Sequence, residues 1–103
     1  MRRPSTETRC VLMVLLDAPR EETYGFELTR AAGLPSGTVY PILRRLEDRG
    51  WIASRWEVID EAHEGRRRRR YYRLTDEGRA RSQDVLAEQS PALRLLVPGW
   101  SAA

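Results

Sequence analysis

Lysine is absent from these 103 residues: all 18 basic side chains are arginine, set against 15 acidic ones for a net charge of +3. Arginine carries a planar fork of donors matched to phosphate and guanine edges, whereas lysine is a mobile point charge. GC-rich coding also replaces lysine by arginine, so the absence alone leaves both causes open. Cysteine occurs once, at Cys10, and histidine once, at His63. One thiol excludes an intrachain disulfide, and one histidine beside one cysteine assembles no zinc site, so neither metal nor cofactor is expected. Cys10 opens an apolar run and reads as a core residue rather than an activated nucleophile. That run ends at Leu16, far short of the roughly 20 apolar residues that span a membrane. Arg2 and Arg3 lead into Pro4 and a polar stretch, not into the hydrophobic segment of a secretory signal, so a cytoplasmic location is expected. With no acid-base pair, nucleophile triad or phosphate loop in view, no enzyme is expected either.

What is present suits one small folded domain: 41% of residues are hydrophobic and 32% charged. Thr6 to Ala18 has no glycine or proline and reads as a helix whose middle, Val11 to Leu16, is apolar all round. Such a helix needs cover on two sides, one of which a second subunit can supply. Tyr24, Leu28, Ala31 and Ala32 share one face of a second helix stopped by Gly33. Val39, Ile42, Leu43 and Leu46 mark a third, with Pro41 placed near its first turn and Gly50 at its end. From Trp51 to Ile59 the period changes to two, with Ile52, Trp56 and Val58 on the inward parity and Trp51 and Trp56 expected in the core. Asp60 to Gly65 reads as a turn, and Arg66 to Leu74 as a second strand with Tyr72 and Leu74 inward. Thr75, followed by Asp76 and Glu77, then caps a last helix running to about Gln89, with Ser90-Pro91 restarting or kinking it as far as Val97.

The third helix turns Gly37, Pro41, Arg44 and Asp48 away from the core, flanked by Thr38, Tyr40 and Arg45. Hydroxyls, an aromatic ring and two arginines precede Glu47 and Asp48, the gradient a helix entering a major groove by its N-terminal half requires. A plain solvated face, with Arg44 paired to Asp48 four residues on, accounts for the same residues. The hairpin shifts the balance. Residues 63–81 hold eight arginines and three acids, a net +5 that leaves −2 for the rest of the chain. Five of those arginines, Arg66, Arg67, Arg68, Arg69 and Arg70, are consecutive, and a run of like charges at a hairpin tip is suited to phosphates or a minor groove.

Helix, helix-turn-helix and basic hairpin together form an α+β, mainly α, winged helix-turn-helix with a two-stranded wing. Residues 1–75 are the expected DNA-binding domain, and 76–103 a C-terminal helical dimerisation segment. Tyr24-Gly25-Phe26-Glu27-Leu28, the block from Ser36 to Glu47, Gly50-Trp51-Ile52 and the stretch from Arg70 to Gly78 resemble the PadR-type transcriptional regulators of bacteria over roughly residues 10 to 80. The wing departs from the family pattern, with Gly65-Arg66-Arg67-Arg68 where Gly-Arg-Pro-Arg is usual. With about 28 residues after Thr75, the chain resembles the short subclass that has a single C-terminal helix. The resemblance implies a nucleoid-associated homodimer that represses transcription at an inverted repeat of double-stranded DNA and is released by a small, often aromatic, effector. It also implies operator contacts by Ser36, Thr38, Tyr40 and Arg44, with the wing arginines on the backbone or minor groove. Val11, Met13, Val14 and Leu15 are expected to meet Val85, Leu86, Leu93 and Leu96 across the twofold axis. Trp100 reads either as an exposed tail or as part of an effector pocket. Two other functions stay open on sequence alone: a winged-helix adaptor for proteins, and an RNA-binding protein.

Overall fold

The computed structural model describes residues 4–18 and 21–88. Among the described residues five helices and three strands follow one another as α1 (Thr6–Leu16), β1 (Thr23–Tyr24), α2 (Gly25–Ala32), α3 (Ser36–Asp48), β2 (Ile52–Trp56), α4 (Glu61–Glu64), β3 (Arg70–Leu74) and α5 (Asp76–Ala87). The Ser5 hydroxyl accepts the Thr8 amide and starts α1. At the other end of the fold Thr75 does the same for Gly78, with Asp76 and Glu77 in the first turn of α5. Gly33, left-handed at φ 68°, terminates α2 as expected.

The core is built on α1 and α3. Val11, Leu12 and Leu15 of α1 pack with Leu28 of α2, Val39, Ile42, Leu43 and Leu46 of α3, and Ile52, Tyr72 and Leu74 of the sheet. All four apolar positions picked out on α3 are buried. Ala31, expected on the inner face of α2, is exposed instead, because Tyr24 forms the N-cap and strand end rather than the first helical turn, leaving Leu28 to carry the packing. Among the residues expected at a dimer interface, Val11, Leu15 and Leu86 are covered within the one chain. Met13, Val14 and Val85 stay half-buried, while Leu93 and Leu96 lie outside the described residues, as do the helical restart at Ser90-Pro91 and Trp100.

The sheet has three antiparallel strands, not two, in the order β1-β3-β2. Thr23 pairs with Tyr72 and Tyr24 with Tyr71 on one side of β3, while Ile52 through Trp56 pair with Leu74 through Arg70 on the other. A strand of two residues has no period to display, which is why β1 was not legible as alternation. The inward parity of Tyr72 and Leu74 is as expected, and Trp51 is buried. Trp56 and Val58 are not: they are 51% and 96% exposed. β2 ends at Trp56, short of the expected Ile59, so Val58 lies beyond the sheet, where strand parity no longer applies. Trp56 is the last paired residue, at the end of the sheet with no core beneath it. The turn expected at Asp60 to Gly65 contains α4, capped by Asp60 accepting the Ala62 and His63 amides. The second strand begins at Arg70, so Arg66 to Arg69 form its approach rather than its body.

Pro41 lies in the second turn of α3 rather than the first. It removes the amide bond to the Gly37 carbonyl, a loss tolerated because both residues are exposed. The join between β2 and α5 is tighter. The Trp51 carbonyl accepts the Thr75 amide at 2.9 Å, and a Cβ on Gly78 would overlap the Trp51 backbone. Gly78→Ala is therefore expected to destabilise the protein by about 3 kcal/mol, lowering the melting midpoint by roughly 10 °C or more. A midpoint within about 2 °C of the parent would contradict this packing.

Candidate nucleic-acid interface

The N-terminus of α3 is open. Pro35 is its N-cap, no side chain caps it, and its first turn carries no acid. Ser36 and Gly37 are exposed there, where unpaired amides and the positive end of the helix dipole favour an anion. Further along the same face Tyr40, Pro41, Arg44 and Arg45 are exposed and Thr38 is half-buried. Among the described residues Arg44 and Arg45 form no ion pair, so the Arg44–Asp48 pairing weighed above is not made. Tyr40 is anchored as well as exposed. Its hydroxyl lies against Gly25 of α2, where an added Cβ would overlap it.

Glu47 joins this helix to the wing. It accepts the Ser54 hydroxyl at 2.6 Å, and Ser54 in turn accepts two bonds from Arg70, at 3.1 and 2.8 Å. Arg70 also stands 3.8 Å from Glu47. On sequence Glu47 is merely part of the acidic end of the helix; its seven-residue separation from Ser54, across the α3–β2 turn, carries no signal of contact.

The five consecutive arginines occupy distinct environments. The Arg66 guanidinium meets Glu57 through two bonds, at 2.8 and 3.1 Å. Arg67 is exposed. Arg68 and Arg70 both approach the Trp56 ring, at 5.7 and 5.2 Å from its centroid, and Arg69 lies 4.3 Å from the centroid of Tyr24. Outside the tract, Arg55 makes a forked contact with Glu22, at 2.6 and 3.2 Å, and lies over Tyr71 at 4.8 Å. An aromatic face offers a cation about 0.5 to 1 kcal/mol at an exposed site such as Trp56. The like charges are thereby shared among Glu57, Trp56 and Tyr24, with Arg67 left exposed. Trp56 is exposed for want of core beneath it, and it serves instead as a platform for two arginines.

The fold has solved counterparts. A DNA-bound PadR from Bacillus subtilis superimposes with a TM-score of 0.68 at 21% identity, covering 92% of this chain and 51% of that one. A mutant MepR from a multidrug-resistant S. aureus clinical isolate gives 0.67 at 19% identity, over 90% of this chain and 63% of that one. BpsR of Bordetella bronchiseptica, whose DNA binding is regulated by 6-hydroxynicotinic acid, gives 0.63 at 20% identity, over 91% and 74%. This chain therefore spans between half and three-quarters of their lengths. No curated protein matches it. The fold so defined is that of winged-helix transcriptional regulators. Residues 11–84 match the transcriptional regulator PadR-like family, and the chain belongs to it. That family consists of regulators, not enzymes, and no described helix is long and apolar enough to cross a membrane.

The Glu57 carboxyl is held down to about 2, chiefly by the Arg66 guanidinium and further by the Arg69 amide. Because its folded value lies below the ordinary 4.5, its contribution to stability is complete above about pH 5 and fades as pH falls from there towards 2. Carboxyl-resolved NMR titration is expected to give a Glu57 midpoint near 2; a midpoint near 4.5 would contradict the pairing.

Proposed function

We propose that this protein is a sequence-specific DNA-binding repressor, cytoplasmic and nucleoid-associated, that acts as a homodimer on an inverted-repeat operator. The observation that carries this reading is the outward face of α3, where Arg44 and Arg45, without ion pairs among the described residues, follow an uncapped helix start. In the proposed complex α3 enters the major groove with Ser36, Gly37, Thr38, Tyr40, Pro41, Arg44 and Arg45 towards the DNA. Arg67 and the ring-supported Arg68, Arg69 and Arg70 meet phosphates or the minor groove, with Arg66 beside them. Family membership and the DNA-bound PadR neighbour support the reading. Met13, Val14 and Val85, with Leu93 and Leu96, carry the twofold contact. Release by a small aromatic effector completes the proposal, supported by the BpsR neighbour and 6-hydroxynicotinic acid.

Selection of genomic fragments by the purified protein at physiological salt is expected to enrich an inverted repeat with half-site centres about 34 Å apart. Absence of enrichment would overturn the reading, and preference for RNA over duplex would replace it. If each dimer neutralises roughly six to ten phosphates, log affinity falls against log salt with a slope of about −5 to −9. A slope near zero would remove the wing from the interface.

Gly37 supplies a further check. Nothing lies within 4 Å of an added Cβ there, so Gly37→Ala is expected to leave stability unchanged or raise it by up to about 1 kcal/mol. Operator affinity should nonetheless fall several-fold if the DNA backbone approaches this point. Unaltered affinity would place the helix start away from DNA.

A further inference from the structure

We propose that Glu57 is a positioning residue for DNA binding: an acid inside the basic wing that strengthens the hold on a polyanion by ordering the arginines around it. The inference rests on the DNA-binding function proposed above. One Glu57 oxygen accepts both the Arg66 guanidinium, at 2.8 Å, and the Arg69 main-chain amide, at 3.2 Å. The other accepts the second Arg66 nitrogen at 3.1 Å, with the Tyr71 hydroxyl at 3.5 Å. The Glu57 amide donates to the Arg69 carbonyl at 2.8 Å. The approach to β3 is thus fastened at both its ends, at Arg66 by a fork and at Arg69 by main-chain and side-chain bonds to one residue.

Two consequences follow for the residues between and beside these points. Arg66 donates to the Arg67 carbonyl at 3.2 Å, which fixes the peptide that carries Arg67. Arg69, with its main chain held, lays its guanidinium over Tyr24. Without the Glu57 carboxylate the segment would keep only the Arg68 amide bond to Glu61, at 2.8 Å, as a carboxylate hold, and ordering the four adjacent cations on a phosphate chain would cost conformational entropy at the moment of binding. Of these four, Arg66 is held largely by Glu57, and the outward reach belongs to Arg67, Arg68 and Arg69. Glu64, on α4 in the same wing, is exposed and makes no ion pair among the described residues.

Glu57→Gln and Glu64→Gln each remove one negative charge from the wing, so electrostatics alone strengthens DNA binding in both. Positioning gives opposite signs. Glu57→Gln is expected to weaken binding to the selected operator about tenfold, whereas Glu64→Gln binds as well as the parent or better. The thermal midpoint of Glu57→Gln should stay within a few degrees of the parent, and trypsin should cut at residues 66–70 several-fold faster. Affinity equal to or above the parent in Glu57→Gln would overturn the proposal, as would a loss of affinity accounted for entirely by unfolding. A parent protein that binds no duplex would instead overturn the DNA reading itself. The cleavage rate then still judges the latch, and an unchanged rate in Glu57→Gln would refute it.

Discussion

The Ser54 hydroxyl, donating to Glu47 and accepting from Arg70, is the point at which α3 and the wing become one surface. Each element is separately held: α3 by its four buried side chains, and the hairpin by Ile52, Tyr72 and Leu74. Those apolar contacts fix depth but are non-directional. The polar link adds direction, because a charge-assisted bond depends on angle as well as distance. In the proposed complex this angle decides whether helix and wing meet the same stretch of duplex together.

The distribution of charge follows from the same economy of acids. Three carboxylates are placed against the arginines: Glu47 against Arg70, Glu57 against Arg66 and Glu22 against Arg55. Each holds an arginine that borders the outward surface, and none of them pairs with Arg44, Arg45 or Arg67 among the described residues. A net charge of +3 for the chain therefore conceals differences among the arginines around the candidate interface: Arg55, Arg66 and Arg70 are fastened to acids, Arg68 and Arg69 lie over aromatic rings, and Arg44, Arg45 and Arg67 are exposed with neither partner among the described residues. The small net charge is compatible with a phosphate-binding surface because these three acids pair with arginines other than Arg44, Arg45 and Arg67.

Much of this was legible in the sequence, for identifiable reasons. The four-residue pattern of α3 and the Thr75 cap are local signals, and local signals survive folding. So is the parity of Tyr72 and Leu74. Asp60 followed by Glu61 obeys the same capping rule as Thr75 followed by Asp76, yet α4 was hidden because four residues contain too little period to distinguish a helix from a turn. Trp56 misled for another reason: parity assigns a face but not whether anything lies beneath it. The contacts that organise the candidate interface, Glu47 with Ser54, Glu57 with Arg66 and Arg69 with Tyr24, depend on how strands register against helices. No spacing in the sequence encodes that register. The arginine cluster was therefore visible, while its division into anchored and outward members was not.

Arg44 as a reader of bases, rather than one more solvated charge, is what the proposed function depends on most. The most direct measurement is the affinity of the parent and of Arg44→Ala for the selected operator and for every single-base-pair substitution of one half-site. Arg44→Ala is expected to lose about 1 to 3 kcal/mol of discrimination at one guanine-containing position while keeping the preferences of the parent elsewhere. A variant whose preference at every position equals that of the parent would contradict the placing of α3 in the major groove.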